Sequence, residues 1–204
     1  MTTINDQIDI EPHTVKWAID SMKNNLLTVD NSFQRNYVWI QKHQIKLIET
    51  ILMGFPIPEI YLWQKETEAD SGDMLLSIID GQQRLGAILD YINNEFALNE
   101  VILTDENKKS LFANKKFSEL DNDLKSAIWK FKLSIRFVKD TVIRTDVVKM
   151  FLRLNNTNMS LNPQELRNAE FEGLFLKAAA EIAEHSFWNQ NSIFSISDLR
   201  RMND

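Results

Sequence analysis

The chain has 204 residues, 44% of them hydrophobic, a formal net charge of -6 and no cysteine. That length and apolar content suffice for a buried core, while the acidic balance excludes a surface wrapped uniformly on nucleic acid, so any contact with DNA or a nucleotide must be focused in a local basic cleft. Disulfides, Cys-based zinc sites and thiol nucleophiles are excluded together. No charged-then-apolar leader opens the chain and no apolar run is long enough to cross a bilayer, which points to a cytoplasmic protein without a membrane partner.

In chain order, "TVKWAIDSMKNNLLTV" puts Val15, Ile19, Met22 and Leu26 near helical spacing, with Asn24 and Asn25 as its ending. "DNSFQRNYVW" has no helical period and reads as extended. "IQKHQIKLIETILMG" aligns Ile45, Ile48, Ile51 and Leu52 in one stripe that Gly54 stops. The two prolines of "FPIPEIYLWQ" impose an extended entry to a strand in which Ile60 and Leu62 alternate with Tyr61 and Trp63. "TEADSGD" connects this strand, hairpin-like, to a second one, "MLLSIID". A helix follows, with Leu85, Ile88, Leu89, Ile92 and Phe96 turned inward.

"DNDLKSAIWKF" begins at Asp121 as N-cap and spaces Leu124, Ala127, Ile128 and Phe131 for a helix. "LSIRFVKD" alternates like a strand, and "TDVVKMFLRLNN" reads as a helix halted by its asparagines. "NPQELRNAEFEGLFLKAAAEIAEH" opens another helix, with Asn162 as cap, Pro163 at the first position and Glu165 completing a capping box. The expected class is α+β, a small mixed sheet with flanking helices and a helical C-terminal part. Residues 1–160 read as one domain with a helical insertion at about 97–131, and 161–204 as the start of a helical region cut from a longer protein.

The chemistry concentrates in "IIDGQQRL". Gly81 lets the backbone approach a ligand, the new helix supplies N–H groups without partners, and the Arg84 fork suits phosphate oxygens. Asp80 repels a phosphate unless a metal, a proton or a water lies between, so it is assigned to a water or to Mg2+ or another divalent cation. Gln82 and Gln83 cannot ionise, but an amide both accepts from water and donates to a phosphoryl oxygen. The competing assignment is a structural turn in which Asp80 pairs with Arg84.

In "FQRNYVW", Gln34 and Arg35 with Tyr37 and Trp39 combine a phosphate fork with aromatic faces for a base, although such aromatics more often pack in a core. Arg153, Asn155 and Asn156 fall at a helix end, where amides commonly serve turns. Glu165, Arg167 and Asn168 form a polar network behind a site or a solvated face. His13, His43 and His185 are isolated, and neither a nucleophile elbow nor a P-loop occurs.

Taken in order, "FQRNYVW", "ILMGFPIPEIYLW", "IIDGQQRL", "KKFSELDNDLKSAIWKFKLSIRFV" and "MFLRLNNTNMSLNPQELRNAEF" resemble the DGQQR-motif family, from about Ser32 to Phe171. That family includes the amino-terminal parts of GmrSD-type modification-dependent restriction enzymes and of SspE-type phosphorothioate-sensing defence proteins. The resemblance implies a ParB/sulfiredoxin-like core and an NTP-hydrolysing or nucleic-acid-acting domain. It carries over Asp80, Gly81, Gln82, Gln83 and Arg84 as the central site, with Gln34, Arg35, Tyr37 and Trp39 facing the same cleft and Arg153 and Asn155 beside them.

The implied substrate is an NTP, with Mg2+ or another divalent cation as cofactor. The implied partners are modified DNA and a downstream or partner nuclease, with homo-oligomerisation left open. The Asn-His nuclease half that follows this domain in such proteins has no counterpart in "SISDLRRMND" or before it, so cleavage is assigned elsewhere. Two alternatives stand beside the NTPase: a ParB-like DNA-nicking domain acting on a phosphodiester, and a sensor that binds nucleotide or modified DNA without reacting.

Overall fold

The computed structural model describes residues 3–29 and 39–156. Two compact units are present, one comprising Met1–Thr28 with Trp39–Thr141 and the other Val29–Val38 with Val142–Asp204. Among the described residues the architecture is α+β. Its five-stranded mixed sheet has the order β1-β5-β3-β4-β2, formed by β1 (Ile8–Thr14), β2 (Leu27–Val29), β3 (Ile60–Thr67), β4 (Met74–Asp80) and β5 (Lys132–Val138). The flanking helices of the first unit are α1 (Val15–Lys23), α2 (Gln41–Leu52), α3 (Gln82–Ile92), α4 (Lys109–Phe112) and α5 (Asn122–Lys130). The second unit contributes α6 (Arg144–Asn156).

β3 is the hub of the sheet, antiparallel to β4 and parallel to β5. A hairpin between β3 and β4 needs only a short connection, and Glu68–Asp73 supplies it: the Glu68 N–H donates to the Asp73 carbonyl at 2.8 Å, and Gly72 takes a positive φ of 75°. β1 is an edge strand, paired antiparallel to β5 and mostly exposed, which is where a strand tolerates Pro12. No alternating apolar pattern marks β1 or the three-residue β2, and neither was expected from periodicity.

Helix boundaries follow local chemistry. Thr14 Oγ1 accepts from the Trp17 N–H at 3.2 Å and opens α1, and Asn25 closes it in a left-handed turn at φ 58°. Gly54, at φ 74°, ends α2 as its sequence position predicts. Ile45, Ile48 and Ile51 of α2 and Leu85, Ile88 and Tyr91 of α3 are all fully or almost fully buried, and each contributes roughly 1.5–3 kcal/mol of burial.

Several expectations are corrected. Leu89 is only partly buried, because Tyr91 takes the inner position, and Phe96 lies beyond the end of α3. In α5, Ala127 is exposed and Ile128 alone is buried, while Trp129 packs edge-on to Phe117 at 5.7 Å. Asp121 stands at the N-cap of α5 without a side-chain cap bond. α6 spans the expected segment and runs through both asparagines, Asn155 and Asn156. The helix expected from Asn162 onward lies outside the described residues. Among the described residues no helix is long and apolar enough to cross a membrane.

Candidate functional site

The C-terminal end of β4, the glycine after it and the first turn of α3 form one continuous corner. In β4, strict alternation would turn Asp80 to the same side as Leu76 and Ile78. A register shift intervenes: Leu62 pairs with Ile78, but Tyr61 pairs with Asp80, leaving Ile79 as an extra residue. Ile78 and Ile79 are both buried, and Asp80 keeps 31% of its side chain exposed.

Gly81 turns the chain from strand to helix at φ 108°, in the left-handed region. It serves as the N-cap of α3 and has no side chain with which to cap the first-turn amides, while the Leu85 N–H closes on the Gly81 carbonyl at 2.9 Å. Helix polarity and these amides together favour an anion.

Arg84 reaches Asp80 across one helical turn. Its Nη2 donates to Asp80 Oδ2 at 2.7 Å and to the Glu59 carbonyl at 2.9 Å, and only 13% of the side chain is exposed. The pairing weighed as the structural alternative is therefore formed. It leaves two groups over: Arg84 Nε is buried without a hydrogen-bond partner, and Asp80 Oδ1 is engaged by no group among the described residues. No cluster of three acidic or histidine side chains able to hold a metal occurs among the described residues. A single carboxylate oxygen suits a hard cation that arrives with phosphate oxygens and water, rather than an all-protein cage.

Gln82 and Gln83 lie half-buried in the first turn of α3. Gln83 Oε1 accepts from the Trp39 N–H at 2.9 Å, which brings Trp39 beside the corner, with its ring 6.0 Å from that of His43. Gln34, Arg35 and Tyr37 lie outside the described residues. Arg153 is exposed in the last turn of α6, and Asn155 belongs to the same helix.

Three residues not singled out by sequence border the corner. Glu59 precedes β3, and Arg136 of β5 binds both its carboxylate oxygens, Nη2 to Oε1 at 2.9 Å and Nε to Oε2. Arg136 also stands 5.8 Å from the centre of the Tyr61 ring. Hydrogen bonding from Arg136 holds the Glu59 carboxyl below its ordinary value, and the same bond raises Arg136. Burial pushes the Tyr61 phenol up, with the Glu59 and Asp80 charges adding to it and Arg136 opposing. An arginine alternating with apolar neighbours in "LSIRFV" looks like a solvated strand face; its only distinguishing signal is that Glu59 is its partner, and that is not local in sequence.

A family model described as the GmrSD restriction endonuclease N-terminal domain matches residues 16–172, more than half of the chain. No match was found among curated proteins.

Proposed function

The chain belongs to the family of GmrSD restriction endonuclease N-terminal domains, and from that premise we propose that it is an NTP-binding and NTP-hydrolysing module of a restriction or antiphage defence system. On this reading the α3 amides and Gln82 receive phosphate oxygens. Asp80 Oδ1 orients a water or a nucleotide-borne Mg2+, which would supply charge neutralisation at the phosphates. Gln83 aligns the attacking water, and Arg84 fixes Asp80 while its Nε–H awaits an acceptor. Gln34, Arg35, Tyr37, Trp39, Arg153 and Asn155 are assigned to nucleotide binding by the family resemblance alone. Hydrolysis in the cytoplasm would switch a downstream or partner nuclease that recognises modified DNA.

The observation that carries this reading is the bulge at Ile79, which sets a partly exposed carboxylate at the uncapped start of a helix beside a buried guanidinium N–H without an acceptor. Release of phosphate from at least one of the four NTPs with Mg2+, lost in Asp80→Ala, is the expected result. A longer chain that hydrolyses NTP while these 204 residues do not would place the activity beyond this domain.

The closed Asp80–Arg84 pair favours a second reading, a sensor of nucleotide or modified DNA without turnover, since a carboxylate already bonded to Arg84 through Oδ2 is less available to a reacting water or a cation. Tight binding with no phosphate release, unaltered by Gln83→Ala, would select it.

A further inference from the structure

Glu59, Ile60 and Tyr61 meet the Asp80–Arg84 corner one after another. The Glu59 carbonyl accepts from Arg84, the Ile60 side chain lies against Gly81, and Tyr61 is in register with Asp80. The chain arrives there from Gly54 through Phe55, Pro56, Ile57 and Pro58 without helix or strand, so Glu59 is not anchored by a regular ladder on its N-terminal side. Its side chain provides the anchor. Arg136 grips both carboxylate oxygens, and Ser134 Oγ lies 3.5 Å from Oε1.

A bidentate guanidinium–carboxylate pair fixes direction as well as distance. The Glu59 and Arg136 side chains are 38% and 24% exposed, and pairs so open to solvent add little to stability, which leaves orientation as the main effect. The hydrogen bonds of Arg136 go to Glu59 and not to the Asp80–Arg84 corner itself.

We propose that Arg136 is a positioning residue for the Asp80–Arg84 pair: by holding Glu59 it fixes the carbonyl that receives Arg84, and hence the direction in which Asp80 is presented. Its consequence for turnover rests on the hydrolase reading above, whereas its consequence for Arg84 does not. A lysine has one point charge in place of the fork and cannot make both bonds in this geometry.

The test compares wild type, Arg136→Ala, Arg136→Lys, Glu59→Gln, Arg84→Ala and the Arg84→Ala/Arg136→Ala double variant. One readout is Mg2+-dependent phosphate release from NTPs. The other is the 1H–15N resonance of the Arg84 Nε–H in ligand-free protein, assigned by its loss in Arg84→Ala. Arg136→Ala is expected to shift or broaden that resonance and to lower kcat roughly 10- to 100-fold with KM changed less than about twofold. Lysine restores little, Glu59→Gln moves the same resonance, and the double variant is no slower than Arg84→Ala alone.

An unmoved Arg84 resonance in both Arg136→Ala and Glu59→Gln overturns the proposal, as does a double variant whose losses add. If wild type releases phosphate from no NTP, the hydrolase reading falls by itself, and the resonance alone then sustains or overturns the positioning role.

Discussion

A β-carbon on Gly81 would stand 2.9 Å from Ile60 Cγ1, in a backbone already at φ 108°. Two independent constraints thus coincide on one residue, a left-handed conformation that disfavours any side chain and a neighbour that fills the space a side chain would need. Gly81→Ala is expected to destabilise the domain by about 2 kcal/mol or more and to lower the melting temperature by roughly 4–8 °C. A melting curve unchanged from wild type would mean that the corner is looser than this packing requires.

Asp80→Asn keeps the shape of the side chain and removes its charge. If Asp80 orients the reacting water or the cation, phosphate release falls by about 100-fold or more, while nucleotide binding measured without Mg2+ changes little. Turnover within a few-fold of wild type would remove Asp80 from the chemistry and leave it as the partner of Arg84.

Gln83→Ala deletes the acceptor of the Trp39 N–H. Hydrogen exchange at the Trp39 amide is expected to accelerate by about 5-fold, in line with the loss of roughly 1 kcal/mol of hydrogen bonding. Phosphate release should fall in parallel. Faster exchange with intact turnover would assign Gln83 to anchoring Trp39 and not to aligning water.

The Glu59 carboxyl is depressed in the folded protein by the hydrogen bond from Arg136, below its ordinary value of 4.5. A group depressed on folding stabilises the native state fully above its unfolded value and loses that contribution as the pH falls through the folded one. Denaturant midpoints of wild type should therefore drop from about pH 5 downward more steeply than those of Glu59→Gln. Parallel curves would show that the pair contributes nothing to folding.

Glu49 offers a test of the scaffold away from the corner. It is only 5% exposed, and its two oxygens accept from the Thr104 N–H at 2.6 Å, the Asp105 N–H at 2.9 Å and Thr104 Oγ1 at 3.0 Å. Glu49→Ala removes the shared acceptor of three donors on Thr104 and Asp105 and should cost about 1–3 kcal/mol, read as a lower urea midpoint. A loss below about 0.5 kcal/mol would mean that water replaces the carboxylate at once.

Much of this architecture is legible along the chain because its signals are local. The stripes of α2 and α3, the alternation of β3 and β5, the hairpin at Glu68–Asp73 and the left-handed stops at Asn25 and Gly54 each depend on residues a few positions apart. β1 carries no such signal because an exposed edge strand needs no apolar alternation, and β2 none because three residues hold no period. The spacing of α5 identifies a helix but not its inward face, since which side is covered depends on the elements packed against it and not on its own period.

The corner itself divides the same way. Residue identity already prescribes a strand, a glycine turn and a helix carrying an acid, two amides and an arginine, since each rests on backbone preferences of adjacent residues. Which way the acid faces, and which carbonyl the arginine meets, comes from the extra residue at Ile79 and from the approach of Glu59, 21 positions before Asp80 (80 − 59 = 21). Strand register and side-chain contact between distant segments are settled by how whole elements pack, and no window of neighbouring residues contains them.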